Sequence, residues 1–363
     1  MKIAFYYAYP AEWDWNDEDL DSAGVGGTET ALILISRQLA RDHRVTVFNR
    51  TRREGKFHGV QYRRLDSFDY EEPWDVFIVM RGRAPDLKRV KAPVKIYWSI
   101  EEDAVLVKDW SEVLPYVRAV FTISPFHTAE LQRRSGIPPA KIYETRLGVD
   151  WEEYAQPLPK EAGKLIYCSV PGRGLPYLAS IFPRIREVFP YARLVITSDY
   201  SLWGRPPGTE GYRELFAHLP GVEFLGNVPR PRLIQEQKTS VLHVYPCTVA
   251  ELFCLASIEC QAAGTPTVAT ALGALETTVA DGYSGVLVRE TPGQPAFYTR
   301  FAQAVLTLLG NQTWLEQMAR QARTRVQARY TYAHIVQEWV EQFDRWAQEP
   351  SGEERPWDIS SQD

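Results

Sequence analysis

Three stretches of this chain hold side chains suited to a ligand that is both charged and rich in hydroxyls. In "ELFCLASIE" (251–259) two carboxylates, Glu251 and Glu259, bracket an otherwise apolar run. Residues eight apart on a helix end about 80° apart after two full turns, so the pair would not share a face if both were helical. The pattern instead predicts Glu251 on the loop after "VLHVYP" (241–246), the amides of Phe253, Cys254 and Leu255 at a helix start, and Glu259 two turns into that helix. Helix-start amides favour an anion, whereas carboxylates accept hydrogen bonds from hydroxyls and cannot hold phosphate directly. A sugar nucleotide presents both groups, with one glutamate for sugar hydroxyls and the other for ribose. A Glu placed favourably near a helix start for stability alone would leave the same spacing.

The second stretch, "AGVGGTE" (23–29), precedes an apolar helix. Its glycines can take positive φ and let backbone N–H groups approach a phosphate, with Gly26 and Gly27 nearest the helix start. A dinucleotide fingerprint needs glycine at 24, 26 and 29, and Glu29 breaks it. The third, "CSVPGRGL" (168–175), repeats the strand, turn and helix arrangement, and Arg173 offers a permanently charged fork of donors suited to a diphosphate. A plain strand-to-helix turn and a surface arginine are the structural alternatives for these two.

The elements that must position these groups alternate as β-branched or aromatic runs and helical patterns, which predicts βαβ units around parallel sheets. In the first half, strands are expected at 2–7, 44–49, 76–80, 95–100 and 119–124, with helices at 28–40 and from about 126. "RLGVDWEEYAQPLPKEAGK" (146–164) interrupts the series with Gly, Pro and charge, placing a domain junction near 150–163. A second series follows, with strands at 164–169, 193–198, 222–226, 241–246, 266–270 and 285–288 and helices from about 175, near 230–238, and at 296–309 and 312–346. Two doubly wound halves put the ligand over the carboxyl ends of the strands, in a cleft between them.

Composition narrows the classes. With 363 residues, 45% hydrophobic and 24% charged, the chain suits two globular domains. A net charge of −5 argues against nucleic acid as a partner. The four cysteines form no CxxC pair and have no histidine at finger spacing, so buried reduced thiols are expected. No signal peptide is read at "MKIAFYYAYP" and no 18-residue apolar window occurs, which implies a cytoplasmic protein and leaves peripheral membrane contact open. The acidic "EWDWNDEDLDS" (12–22) reads as a lid, an acceptor-binding loop or a solvated insertion.

Taken in order, "GVGGTETALILISRQLARDHRVTVF", "TISPF", "RLGVD", "YCSVPGRGL", "VEFLGNV", the E-x7-E of "ELFCLASIE", "QAAGTPTVAT" and "DGYSGVLV" resemble the GT-B-fold retaining glycosyltransferases, in particular glycosyltransferase family 4, over roughly residues 1–345. The resemblance implies an α/β fold of two Rossmann-like domains facing a cleft: an acceptor-side domain at 1–155 completed by a helix at about 331–346, a donor domain at 156–330, and a loose tail at 347–363. It also implies a nucleotide-diphosphate sugar as donor, an acceptor of unspecified class (glycan, lipid or small molecule), and no cofactor or bound metal. By position, Glu251 would bind donor-sugar hydroxyls and Glu259 ribose. The amides of Phe253, Cys254 and Leu255 would touch sugar and phosphate, Gly26 and Gly27 would lie under the diphosphate, and Arg173 would neutralise the departing nucleotide.

Two departures from the family pattern stand out. No Lys follows Arg173 within a few residues, and "EEDA" (101–104) stands where a His is common, so Glu101 or Glu102 would occupy that acceptor-side space. Cys254 also replaces a common glycine. A sugar-nucleotide epimerase and a non-catalytic binding protein on the same fold are the other readings.

Overall fold

The computed structural model describes residues 1–9, 14–100, 110–203 and 211–349. The chain divides into two compact units. One comprises Met1–Glu18, Leu32–Arg146 and the chain from Ala333, and the other Asp19–Ala31 and Leu147–Tyr332. The division therefore falls at 146/147 and 332/333 rather than at 155/156 and 330/331, and the glycine turn groups with the second unit. The reason is local pairing. Val149 donates to Tyr330 O (2.9 Å) and accepts from Tyr332 N (3.0 Å), so the outgoing and returning chains are already tied together there.

As far as residue 144 the elements run β1 (Lys2–Ala8), α1 (Glu18–Ser22), α2 (Gly27–Leu39), β2 (Arg44–Asn49), β3 (Gly55–Phe57), β4 (Val60–Arg64), β5 (Val76–Gly82), β6 (Val94–Trp98), β7 (Ala119–Thr122), α3 (Pro125–Ser135) and β8 (Ile142–Glu144), all in the first unit except α1 after Glu18 and the start of α2 as far as Ala31, which group with the second. They form an eight-stranded sheet in the order β3-β4-β2-β1-β5-β6-β7-β8, parallel throughout except for the β3/β4 hairpin. Strands covered on both faces need apolar residues in succession, and "VFIVM" (76–80) and "AVFT" (119–122) are buried at every position. Helix α3 starts at Ser124, whose hydroxyl accepts from His127 N, and stops at Gly136 in the left-handed region.

The second unit continues with α4 (Trp151–Tyr154), β9 (Lys164–Tyr167), α5 (Leu175–Val188), β10 (Arg193–Ile196), β11 (Val222–Phe224), α6 (Arg230–Thr239), β12 (Leu242–Tyr245), α7 (Leu255–Ala262), β13 (Thr267–Thr270), α8 (Leu275–Thr278), β14 (Gly285–Val288), α9 (Pro295–Leu309) and α10 (Gln312–Arg329). Its sheet, β11-β10-β9-β12-β13-β14, is wholly parallel. The strand order reverses between β9 and β12, and the loops that follow these two strands therefore flank the crevice at their carboxyl ends.

The last helix, α11 (Tyr332–Gln348), completes the first unit. Trp339 is fully buried, edge-on to Trp98 and Phe121 with ring centroids 4.9 and 5.0 Å away, and its indole N–H donates to Thr145 Oγ1 (2.8 Å). Arg146 holds Glu338 through two hydrogen bonds of 2.6 and 2.8 Å.

Candidate functional site

The loop after β9 and the loop after β12 meet through Arg173 and Glu251. Arg173 lies on a single 3-10 turn, Pro171–Arg173, closed by Gly174 at φ +114°. A β-carbon at 174 would overlap the Pro246 carbonyl, so only glycine lets the two loops pass this closely. Arg173 Nη1 then sits 3.4 Å from Glu251 Oε1, with 31% and 16% of the two side chains exposed. The phenol of Tyr245 donates to the same carboxylate oxygen, and the thiol of Cys247 lies 3.8 Å away. Burial first, and the Glu251 charge second, push the Tyr245 hydroxyl well above its usual range and the Cys247 thiol up to about 11, so both stay protonated as donors.

The backbone fixes Glu251 as well. Residue 251 pairs with Gly273 as an isolated parallel bridge, and its carbonyl accepts from Ala274 N at 2.7 Å. A β-carbon at Gly273, which has φ +60°, would come within 2.6 Å of that carbonyl. The carboxylate therefore stands on main chain clamped from the β13 side.

Helix α7 begins at Leu255, one residue after Cys254, which takes φ +70° and ψ +72° with no side-chain cap. Few non-glycine residues adopt this region, which accounts for glycine being common there in the resembling family. The Cys254 side chain makes no cap hydrogen bond, so the first-turn amides remain suited to an anion. Phe253 is buried edge-on to Tyr330 (6.0 Å).

Glu259 departs from the sequence expectation in its surroundings. Since α7 starts at Leu255, it is the fifth helical residue and not two turns in. Its carboxylate is 5% exposed, with Oε1 receiving Arg230 Nη1 at 2.8 Å and Oε2 receiving Gln237 Nε2 at 3.3 Å. Arg230, itself 3% exposed, also grips Glu153 (2.6 to 2.9 Å). Burial is the main influence on Glu153 and raises its carboxyl, with Arg230 opposing. Arg230 was not singled out from sequence, and its only signal was a cation at the start of a predominantly polar helix.

In the glycine turn, positive φ belongs to Gly24 (+76°) and not to Gly26 or Gly27. A β-carbon at 24 would lie 2.6 Å from Val228 O, and Asn227 Nδ2 donates to Ala23 O (2.9 Å), so the turn rests on the loop after β11. Over Gly26 lies the Glu29 carboxylate, 2.6 Å from where a β-carbon would be, while the space around Gly27, the first residue of α2, is open. Glu101 and Glu102 lie outside the described residues. Tyr245, Cys247 and the Gly273–Ala274 clamp are further site residues that sequence reading missed: Tyr245 and Cys247 lie only six and four residues before Glu251 but read as core, and the clamp comes from the loop after β13.

Residues 163–311 match the family described as glycosyl transferases group 1. Relatives include D-inositol 3-phosphate glycosyltransferases of Nocardia farcinica (36% identical over 124 residues, 34% of this chain and 26% of the relative) and Kribbella flavida (31% over 182 residues, 44% and 42%). The match thus spans less than half of each of these relatives. Among solved structures, sucrose-phosphate synthase from Thermosynechococcus elongatus superposes with a TM-score of 0.73 at 17% identity, covering 95% of this chain and 99% of that one. Anabaena HepE in complex with UDP-glucose gives 0.69 at 16%, covering 94% and 99%. The chain has the GT-B fold, and residues 163–311 of its second unit are similar to the glycosyl transferases group 1 family.

Proposed function

We propose that this chain is a retaining glycosyltransferase of the family 4 type, moving a sugar from a nucleotide-diphosphate donor to an acceptor. The observation that carries the reading is the convergence of Arg173 and Glu251, 3.4 Å apart, at the strand-order reversal beside the uncapped start of α7. Arg173 and the amides of residues 253–255 receive the diphosphate, and Glu251 orients the sugar through its hydroxyls. Glu259 serves the ribose with the acceptor capacity that Arg230 and Gln237 leave it. Gly27 offers the open backbone approach to the diphosphate.

Transfer with retention needs a charged leaving group and a cationic sugar stabilised on the face the acceptor attacks. Positioning and electrostatics supply much of this without a protein nucleophile or a metal ion. The free state of all four thiols supports a cytoplasmic setting. Among the described residues no helix is long and apolar enough to cross a membrane, so an acceptor at the inner membrane face would be met by peripheral contact. The names of the relatives make an inositol phosphate one acceptor to try.

The test is incubation with UDP-, GDP-, ADP- and TDP-sugars and an acceptor panel, following nucleotide release and the product's anomeric configuration by NMR. Nucleotide release with an α-linked product supports the proposal. A changed free sugar nucleotide would point to an epimerase, and binding without turnover on any acceptor to a non-catalytic protein. Glu251→Gln should lower turnover at least about tenfold, or about 1.4 kcal/mol of transition-state stabilisation. Undiminished turnover in that variant would remove Glu251 from the mechanism.

A further inference from the structure

We propose that Cys168, His243 and Cys260 form a binding site for a thiophilic d10 cation, zinc(II) or copper(I), at the root of the loops that carry Arg173 and Glu251. One ligating atom from each residue lies within 4.8 Å of the other two. The two sulfurs are 3.5 Å apart and carry no disulfide. Two Zn–S bonds of ~2.3 Å at a tetrahedral angle would set them about 3.8 Å apart, so a small adjustment accommodates the ion. His243 and Cys260 are fully buried, and Cys168 is partly so.

The independent observation is the imidazole. His243 Nδ1 lies 3.3 Å from Thr267 Oγ1, whereas Nε2 is buried without a hydrogen-bond partner. A buried ring nitrogen left unsatisfied forfeits its hydration with nothing in return. If Nδ1–H donates to Thr267, Nε2 keeps its lone pair, the tautomer that ligates a metal. Ser257 donates to the same Thr267 oxygen at 3.1 Å and fixes that second contact in turn.

Two thiolates and an imidazole are a soft donor set, which selects zinc or copper(I) over the oxygen-seeking magnesium and calcium. Binding exchanges the cation for the two thiol protons, which leave to solvent. Bound there, the ion would pin the end of β9, strand β12 and helix α7 to one another. These are the elements that precede Arg173, precede Glu251 and contain Glu259. The site does not depend on the transferase reading.

The full chain, reduced and stripped with a chelator under anaerobic conditions, should take up one equivalent of zinc(II) or copper(I) in competition with a chromophoric chelator. Cobalt(II) should give a thiolate charge-transfer band. Bound zinc should shield the partly exposed Cys168 from alkylation mapped by peptide. Cys168→Ser and His243→Asn should each weaken uptake at least tenfold, while Cys247→Ala should leave it unchanged. The alkylation footprint reads the unmutated chain and holds even if a core variant fails to fold. Substoichiometric uptake, equal alkylation of Cys168 with and without zinc, or undiminished affinity in folded Cys168→Ser would overturn the proposal. So would a Cys168–Cys260 disulfide formed under mild peroxide in a chain that binds neither cation.

Discussion

At position 254 the backbone takes a left-handed turn with a side chain attached, and the thiol is buried. Strain of this kind costs on the order of 1 kcal/mol and is borne where surrounding structure over-determines it. Cys254→Gly should therefore unfold within about 1 kcal/mol of the parent, relieved strain offsetting lost burial. Cys254→Val, β-branched in the same region, should lose about 2 kcal/mol or more in urea unfolding. Equal stability of the two variants would show that the left-handed turn is not kept in solution. The place of Glu251 on the loop after β12 was legible from sequence because a carboxylate after a buried strand and before a helix is constrained to one end of the sheet. The group that hydrogen-bonds it, Tyr245, was not, since a tyrosine closing a strand reads as core.

Among elements, α4, α6 and α7 are joined by one guanidinium between two carboxylates, Glu153–Arg230–Glu259. Removing one partner of a buried ion pair leaves charge without compensation, at about 3 to 5 kcal/mol. Arg230→Met should lower Tm accordingly, and adding Glu259→Gln should recover part of the loss. A melting curve unchanged by Arg230→Met would mean that the network contributes nothing to stability. The strands of the second unit were readable because each is a short apolar run bounded by turn residues, and all six occur where that pattern falls. β3, β4 and β8 were missed. The hairpin "GKFHGVQYRR" (55–64) is short and polar, and its turn places His58 at φ +45°, a conformation that propensity does not suggest. The trio Cys168, His243 and Cys260 was equally invisible, because its outer members are 92 residues apart in the chain: the pairing of β9 with β12 brings His243 beside the end of β9, and Cys260 comes from helix α7.

For the molecule as a whole, the acid limit of stability should be set partly by His127, fully inside the first unit. Its Nδ1 accepts from Ile123 N (3.3 Å) and its Nε2 meets Ser99 Oγ at 3.0 Å, an arrangement that suits a neutral ring. Burial lowers its pKa to about 4. The unfolded chain takes up this proton near pH 6.5 and the folded chain only near 4, so the contribution is complete above 6.5 and is lost as pH falls through that window. The loss amounts to about 3 kcal/mol at most. Denaturant unfolding from pH 7 to 4.5 should show it, and His127→Gln should flatten the profile. A slope unaltered by that substitution would assign the acid sensitivity elsewhere. The path of the chain carries a different kind of consequence. Because the first unit is finished by α11, whose Trp339 seals the Trp98 and Phe121 face, a ribosome releases most of the second unit before the first can close. Biosynthesis should then reverse the usual order in which domains mature from the N-terminus. Nascent chains stalled near residue 330 should hold a protease-resistant second half beside a first half that is still open to cleavage.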